Sequence, residues 1–146
     1  MVRPVSFRMN EQTAVNNYFQ EDPHLKNTVI NQRAQEEFDQ FVKVLRDHGV
    51  HVIVVEDTLE RDTPDSIFPN NWVSFHENGT VCIYPMFALN RRKERREDIL
   101  DLLEDEGFVI SEVMDYTIAE EDDIFLEGTG SILMDRVYQK AYCCHL

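Results

Sequence analysis

Twice along this chain an amphipathic helix pattern halts at a glycine and gives way to a short apolar run. Over Asn31–Asp47 the apolar residues Ala34, Phe38, Phe41, Val42 and Leu45 recur at three- and four-residue steps, which places them on one helical stripe. Gly49 stands where a helix-terminating glycine belongs, and the valine-rich run Val50–Val55 follows, read as a buried strand. The second instance is a helix over Asn90–Glu106 with Ile99, Leu102 and Leu103 on one side, stopped by Gly107 and followed by a strand over Phe108–Val113. A chain that alternates helices with short strands in this way is an α/β protein.

Hairpins complete the pattern. Trp72–His76 and Val81–Pro85 flank Asn78-Gly79, a strong two-strand turn signal. Leu126–Met134 and Val137–Cys143 read as a second hairpin, turning at Asp135-Arg136. With a short strand over Val2–Phe7, a polar Asn10–Gln20 and a turn at Asp22-Pro23, the order becomes strand, helix, strand, hairpin, helix, strand, hairpin. The repeating module is a hairpin, a helix and a returning strand. The last hairpin begins a module for which no helix follows, so residues 1–146 are expected to be part of something longer.

Charge and cysteine usage narrow the function classes. There are 28 acids against 14 bases, a formal net charge of -14, which argues against a nucleic-acid partner. No apolar run approaches the ~20 residues of a membrane span, and Met1–Val5 lacks the apolar core of a signal peptide. A cytoplasmic location is the default expectation. Cys82, Cys143 and Cys144 form no disulfide framework, and His24, His48, His51, His76 and His145 show no metal-ligand spacing. Neither a metal nor another cofactor is expected.

Two polar clusters at strand edges carry the chemistry. In Pro64-Asp65-Ser66-Ile67-Phe68-Pro69-Asn70-Asn71-Trp72, an acid and two amides surround a Phe-Pro turn. Asp65, Asn70 and Asn71 are either ordinary turn formers or one side of a pocket for a planar group. A carboxylate there suits a guanidinium, and an amide suits a neutral ureido group, because it both donates and accepts. Glu127, in Phe125-Leu126-Glu127-Gly128-Thr129-Gly130-Ser131, is either an exposed acid of a glycine-rich loop or a catalytic carboxylate. Gly128 and Gly130 would let a ligand approach the backbone. Arg91 and Arg92 either clamp a substrate carboxylate or lie on a solvated face paired with Glu94, Glu97 and Asp98. Cys82 reads as core. Cys143 would share a strand face with His145 while Cys144 would not, and neither thiol is taken as a nucleophile.

Together these runs resemble the guanidine-modifying superfamily of amidinotransferases, arginine deiminases and dimethylarginine dimethylaminohydrolases, nearest to the amidinotransferase-like branch associated with citrulline hydrolysis. The matching runs are Met1–Pro4, Asn10–Asn17, Phe68–Trp72, Tyr84–Met86, Asn90–Arg92 with Glu94–Arg96, and Phe125–Ser131. The resemblance implies a five-bladed α/β propeller (pentein) of which residues 1–146 form the N-terminal part, within a single domain roughly twice as long. It implies that Asp65, Asn70 and Asn71 contact substrate, that Arg91 or Arg92 binds its carboxylate, and that Glu127 orients a catalytic histidine. Asn70 and Asn71 replace acids of the guanidine-using members, which fits a ureido amino acid such as citrulline. The catalytic histidine and the nucleophilic cysteine are implied to lie beyond Leu146. This chain alone is then expected to be inactive. The alternative is a non-catalytic module that binds a ligand or associates with a second copy.

Overall fold

The computed structural model describes residues 1–15, 17, 20–21 and 24–143. The turn expected at Asp22 and Pro23, and the placement of Cys144 and His145, lie outside them. The chain divides into two compact units, Met1–Pro69 and the residues from Asn70 onward. The architecture is mixed α/β with small sheets, and no closed sheet forms among the described residues.

In the first unit, β1 (Val2–Arg3) pairs in parallel with β2 (Val55–Glu56), and the helix α1 (Asn27–Asp47) connects them. Both strands are shorter than their apolar runs suggested. Pro4 has no N–H to extend the ladder, and a two-residue β1 offers β2 only two partners. Phe38 and Val42 of α1 are buried with Val52, and Leu45, Val54 and Ile67 pack against them. Phe41, expected in this stripe, is 54% exposed. It lies at the edge of the stripe, ~60° around the helix from Phe38. Arg3 donates to both carboxylate oxygens of Asp39, at 2.7 and 2.8 Å, and reaches Glu56 at 3.5 Å, so one guanidinium ties β1, α1 and β2 together. α1 starts a turn earlier than its apolar stripe, at Asn27, with Lys26 as an N-cap whose side chain makes no capping bond.

The second unit contains one whole module. β3 (Val73–Phe75) and β4 (Thr80–Ile83) form the expected hairpin, with Ser74 opposite Cys82. The chain then crosses through α2 (Leu89–Arg92) and α3 (Glu97–Asp105) to β5 (Glu112–Asp115), which pairs in parallel with β4. A following hairpin joins β6 (Ile132–Asp135) and β7 (Lys140–Cys143). Trp72, Val81 and Met86 are fully buried, and Cys82 is buried as expected.

The continuous helix expected over Asn90–Glu106 is broken between Arg92 and Glu97. Lys93–Arg96 carries no apolar residue to hold a helical stripe on a core. Arg95 instead reaches across to Glu120 and to the Tyr84 carbonyl. Glu97 and Asp98 then open α3, where negative charge complements the helix dipole. The strand expected over Phe108–Val113 shifts to Glu112–Asp115, because β5 takes its register from Thr80–Ile83. Residues 126–131 are not a strand either. Gly128–Ser131 form a single helical turn, α4, and β6 begins only at Ile132.

Candidate functional site

The residues that converge in the second unit are Asn70, Asn71, Glu127, Thr129 and Arg91. Asn70 and Asn71 end a short 3-10 turn (Pro69–Asn71) just before β3. Glu127 is the N-cap residue of α4. The two segments touch because the second has glycines. A Cβ on Gly128 would collide with the backbone carbonyl of Asn70 and sit 3.0 Å from that of Asn71, and one on Gly130 would sit 2.9 Å from Asn71 Cγ. The close approach expected of a ligand at these glycines is therefore made by Asn70 and Asn71 themselves.

The polar contacts run in one direction. Asn71 Nδ2 donates to Glu127 Oε2 at 3.2 Å. Asn70 Nδ2 donates to Asn71 Oδ1 at 3.1 Å and to Thr129 Oγ1 at 3.0 Å. The Thr129 hydroxyl donates to the Asn70 carbonyl at 3.4 Å. Glu127 also accepts from the Phe87 N–H at 3.2 Å and pairs with Arg91 at 3.5 Å. The carboxylate is thus a hub that holds Asn71, the Phe87 backbone and Arg91.

Arg91 and Arg92 part company. Arg91 is buried, and its guanidinium meets Glu94 at 3.1 and 3.0 Å in a two-pronged pair. Arg92 is partly exposed; it donates to the Met86 carbonyl at 2.9 Å, lies 3.4 Å from Glu120, and stacks over the Phe125 ring at 5.6 Å. Arg92 lines a depression of about 580 Å³ with Asp115, Thr117, Ile118, Glu120 and Glu121. That depression does not contain Asn70, Asn71 or Glu127. Thr129 and Gly130 line a second one, of about 440 Å³, together with Cys143 of β7.

Glu120 was not singled out in the sequence beyond its place in an acidic run. It accepts from the Met86 N–H at 2.8 Å and from both terminal nitrogens of Arg95, at 2.5 and 3.2 Å. Burial alone would raise its pKa, but the Arg95 hydrogen bonds, the Met86 N–H and the charges of Arg95 and Arg92 outweigh burial and hold it below the ordinary glutamate value. Successive backbone N–H groups at Met86 and Phe87 are therefore pinned by two carboxylates, Glu120 and Glu127.

Asp65 belongs to the first unit. Its carboxylate accepts from Asn10 Nδ2 at 2.6 Å, and Asn10 is fully buried. Asn10 also anchors its own loop, accepting from the Gln12 N–H and the Gln20 side chain. Sequence reasoning missed the roles of Asn10 and Thr129, since a polar residue in a polar run gives no periodic signal. Among the described residues no three of His, Cys, Asp or Glu gather as metal ligands, and no helix is long and apolar enough to cross a membrane.

Residues 3–146 match the family described as N,N dimethylarginine dimethylhydrolase, eukaryotic. The chain belongs to this dimethylarginine dimethylhydrolase family. It is therefore a member of the guanidine-modifying superfamily. No curated protein sequence matches this family member. Solved structures do resemble it. Unliganded AgrE superposes with a TM-score of 0.61 at 19% identity, covering 98% of this chain and 18% of that one. The N-terminal domain of ArgZ, an arginine dihydrolase from the ornithine-ammonia cycle in cyanobacteria, was solved as a mutant bound to substrate; it gives 0.60 at 18% identity, covering 98% and 46%. AgrE with ornithine and NAD+ gives 0.54 at 21%, covering 77% and 15%. At such identities the likeness establishes the fold. This dimethylarginine dimethylhydrolase-family chain spans less than half of each of these structures.

Proposed function

We propose that this chain carries substrate-gripping residues of a hydrolase that cleaves a C–N bond of a ureido or guanidino amino acid, with citrulline as the leading substrate. The observation that carries this reading is the hydrogen-bonded set Asn70, Asn71 and Glu127. With one Nδ2 hydrogen committed to Glu127, Asn71 has a second for a ureido oxygen, and an amide oxygen accepts from a ureido N–H. A guanidinium offers donors only and would lose counter-charges at both amide positions. Glu127 is proposed to orient the catalytic histidine, which with the nucleophilic cysteine is supplied from outside residues 1–146. The thiolate attacks the ureido or guanidino carbon, the amine or ammonia leaves, and water resolves the adduct.

Arg92 is the better candidate for the substrate carboxylate. The Arg91 fork is filled by Glu94, whereas Arg92 is partly exposed. Asp65 is proposed as a substrate contact on the family resemblance alone. On the same basis residues 1–146 are proposed to be the N-terminal part of one five-bladed propeller domain.

The test is steady-state kinetics of the full-length protein with citrulline and with arginine. We expect citrulline to be preferred, and Asn71→Asp to move the preference toward arginine by about 10- to 100-fold, the worth of one charged hydrogen bond. An unchanged preference would count against the ureido assignment. A second reading, a non-catalytic module that binds a ligand or self-associates, draws support from β5, whose residues are all exposed, including Val113 and Met114. Concentration-dependent sedimentation without turnover of either amino acid would favour it.

A further inference from the structure

The contact pattern around Asn70 points to a residue that no motif singles out. We propose that Thr129 is a specificity-positioning residue: it holds the Asn70 carboxamide in one orientation beside Asn71, whose own face Glu127 sets, and so favours a ureido over a guanidino group. This rests on the substrate reading above and deepens it.

A carboxamide presents an oxygen on one side and an NH2 on the other, and nothing in its own shape decides which faces a ligand. Here the order is imposed from the two ends. Glu127, as a carboxylate, only accepts, so the Asn71 NH2 must face it. The Asn70 carbonyl also only accepts, so it claims the Thr129 hydroxyl proton. With its proton committed, Thr129 Oγ1 is left to accept, and what it accepts is an Asn70 Nδ2 hydrogen. The other Asn70 Nδ2 hydrogen goes to Asn71 Oδ1. Four groups therefore share one polarity, and each contact has one donor and one acceptor.

Removing the hydroxyl frees one end of this relay. Asn70 then keeps only its bond to Asn71 Oδ1 and turns more freely, while Asn71 stays set by Glu127. With these bonds made, the proposal assigns the ligand one acceptor, Asn70 Oδ1, and one donor, the second Asn71 N–H. A ureido group matches that pair, whereas a guanidinium, which only donates, does not. Thr129 also lines the 440 Å³ depression, so its hydroxyl sits at the wall of a cavity.

The experiment compares wild type, Thr129→Val and Thr129→Ser in the full-length protein. Valine keeps the shape and removes the hydroxyl, and serine keeps the hydroxyl. The ratio of kcat/KM for citrulline to that for arginine should fall about 2- to 10-fold in Thr129→Val, the worth of one neutral hydrogen bond, and return in Thr129→Ser. Equal losses with both substrates, leaving the ratio as in wild type, would mean Thr129 is only structural and overturn the proposal. Side-chain amide NMR gives a readout independent of turnover. The Asn70 NH2 signals should move in Thr129→Val by more than those of Asn71, and unmoved Asn70 signals would overturn the proposal. A wild-type protein that hydrolyses neither amino acid would sink the substrate reading instead, and the NMR comparison would still decide the relay. If Thr129→Val does not fold, Thr129→Ala is measured in the same two ways.

Discussion

Gly130 leaves no room for a side chain beside Asn71: a Cβ there would sit 2.9 Å from Asn71 Cγ and closer still to Nδ2. The same Nδ2 is the atom that donates to Glu127. Gly130→Ala is therefore expected to push the Asn71 amide off Glu127, at a cost of about 1–3 kcal/mol. Gly128→Ala should cost more. Its added carbon meets backbone carbonyls, which yield less than a side-chain tip, and its φ of +25° strains any L residue. Urea unfolding of the two variants checks the order, and a larger loss for Gly130→Ala would contradict this account.

Arg91 and Glu94 form a buried pair, with side chains 5% and 1% exposed. Glu94→Gln should destabilise the protein by about 1.5–3 kcal/mol, because it takes the nearer counter-charge from the buried Arg91 guanidinium and leaves Glu127 at 3.5 Å as the other. The double variant Arg91→Met with Glu94→Leu should lose much less, since both desolvation costs vanish together. Denaturant midpoints of the single and double variants measure the difference. If the double variant is as unstable as the single, packing rather than the lost counter-charge is responsible.

Stability on the acid side should depend on Glu120. Its folded pKa lies below the ordinary value, so its contribution is present above the unfolded glutamate pKa of about 4.3 and is lost as pH falls through the folded pKa. Glu120→Gln should flatten the fall of stability below about pH 4.3 without abolishing it. Asp39 also has a lowered pKa, set first by its hydrogen bond to Arg3, and continues to titrate. Thermal melts across an acid pH series test this. An unchanged slope in Glu120→Gln would remove Glu120 from the account.

The N-terminus of α1 is uncapped. Lys26 stands at the N-cap without a side-chain bond, and the first turn holds no acid. Lys26→Asp supplies an acceptor for the first-turn N–H groups and a charge that suits the dipole. It should stabilise the protein by about 0.5–2 kcal/mol. Thermal unfolding of the variant reads the gain, and no gain would mean those N–H groups already have adequate partners.

Local signals were sufficient for some elements. The Phe38, Val42 and Leu45 stripe, the stops at Gly49 and Gly107 and the Asn78-Gly79 turn were all legible, because each depends on neighbours within one helical or hairpin turn. The α/β character followed from their order, and membership of the guanidine-modifying superfamily from motifs spread along the chain. Elements whose limits depend on a distant partner were misjudged. β5 is placed by β4 rather than by the apolar residues around Phe108, and the second helix breaks where Arg95 finds Glu120. The proposed site divided in the same way. Asn70, Asn71 and Glu127 were candidates from residue type and context. That Glu127 binds Asn71 across 56 positions, that Arg91 is committed to Glu94 while Arg92 stays accessible, and that Thr129 closes the amide relay were decided only in three dimensions. A hydrogen bond is directional and short, and the chain's linear order carries no record of which donor will meet which acceptor once it has folded.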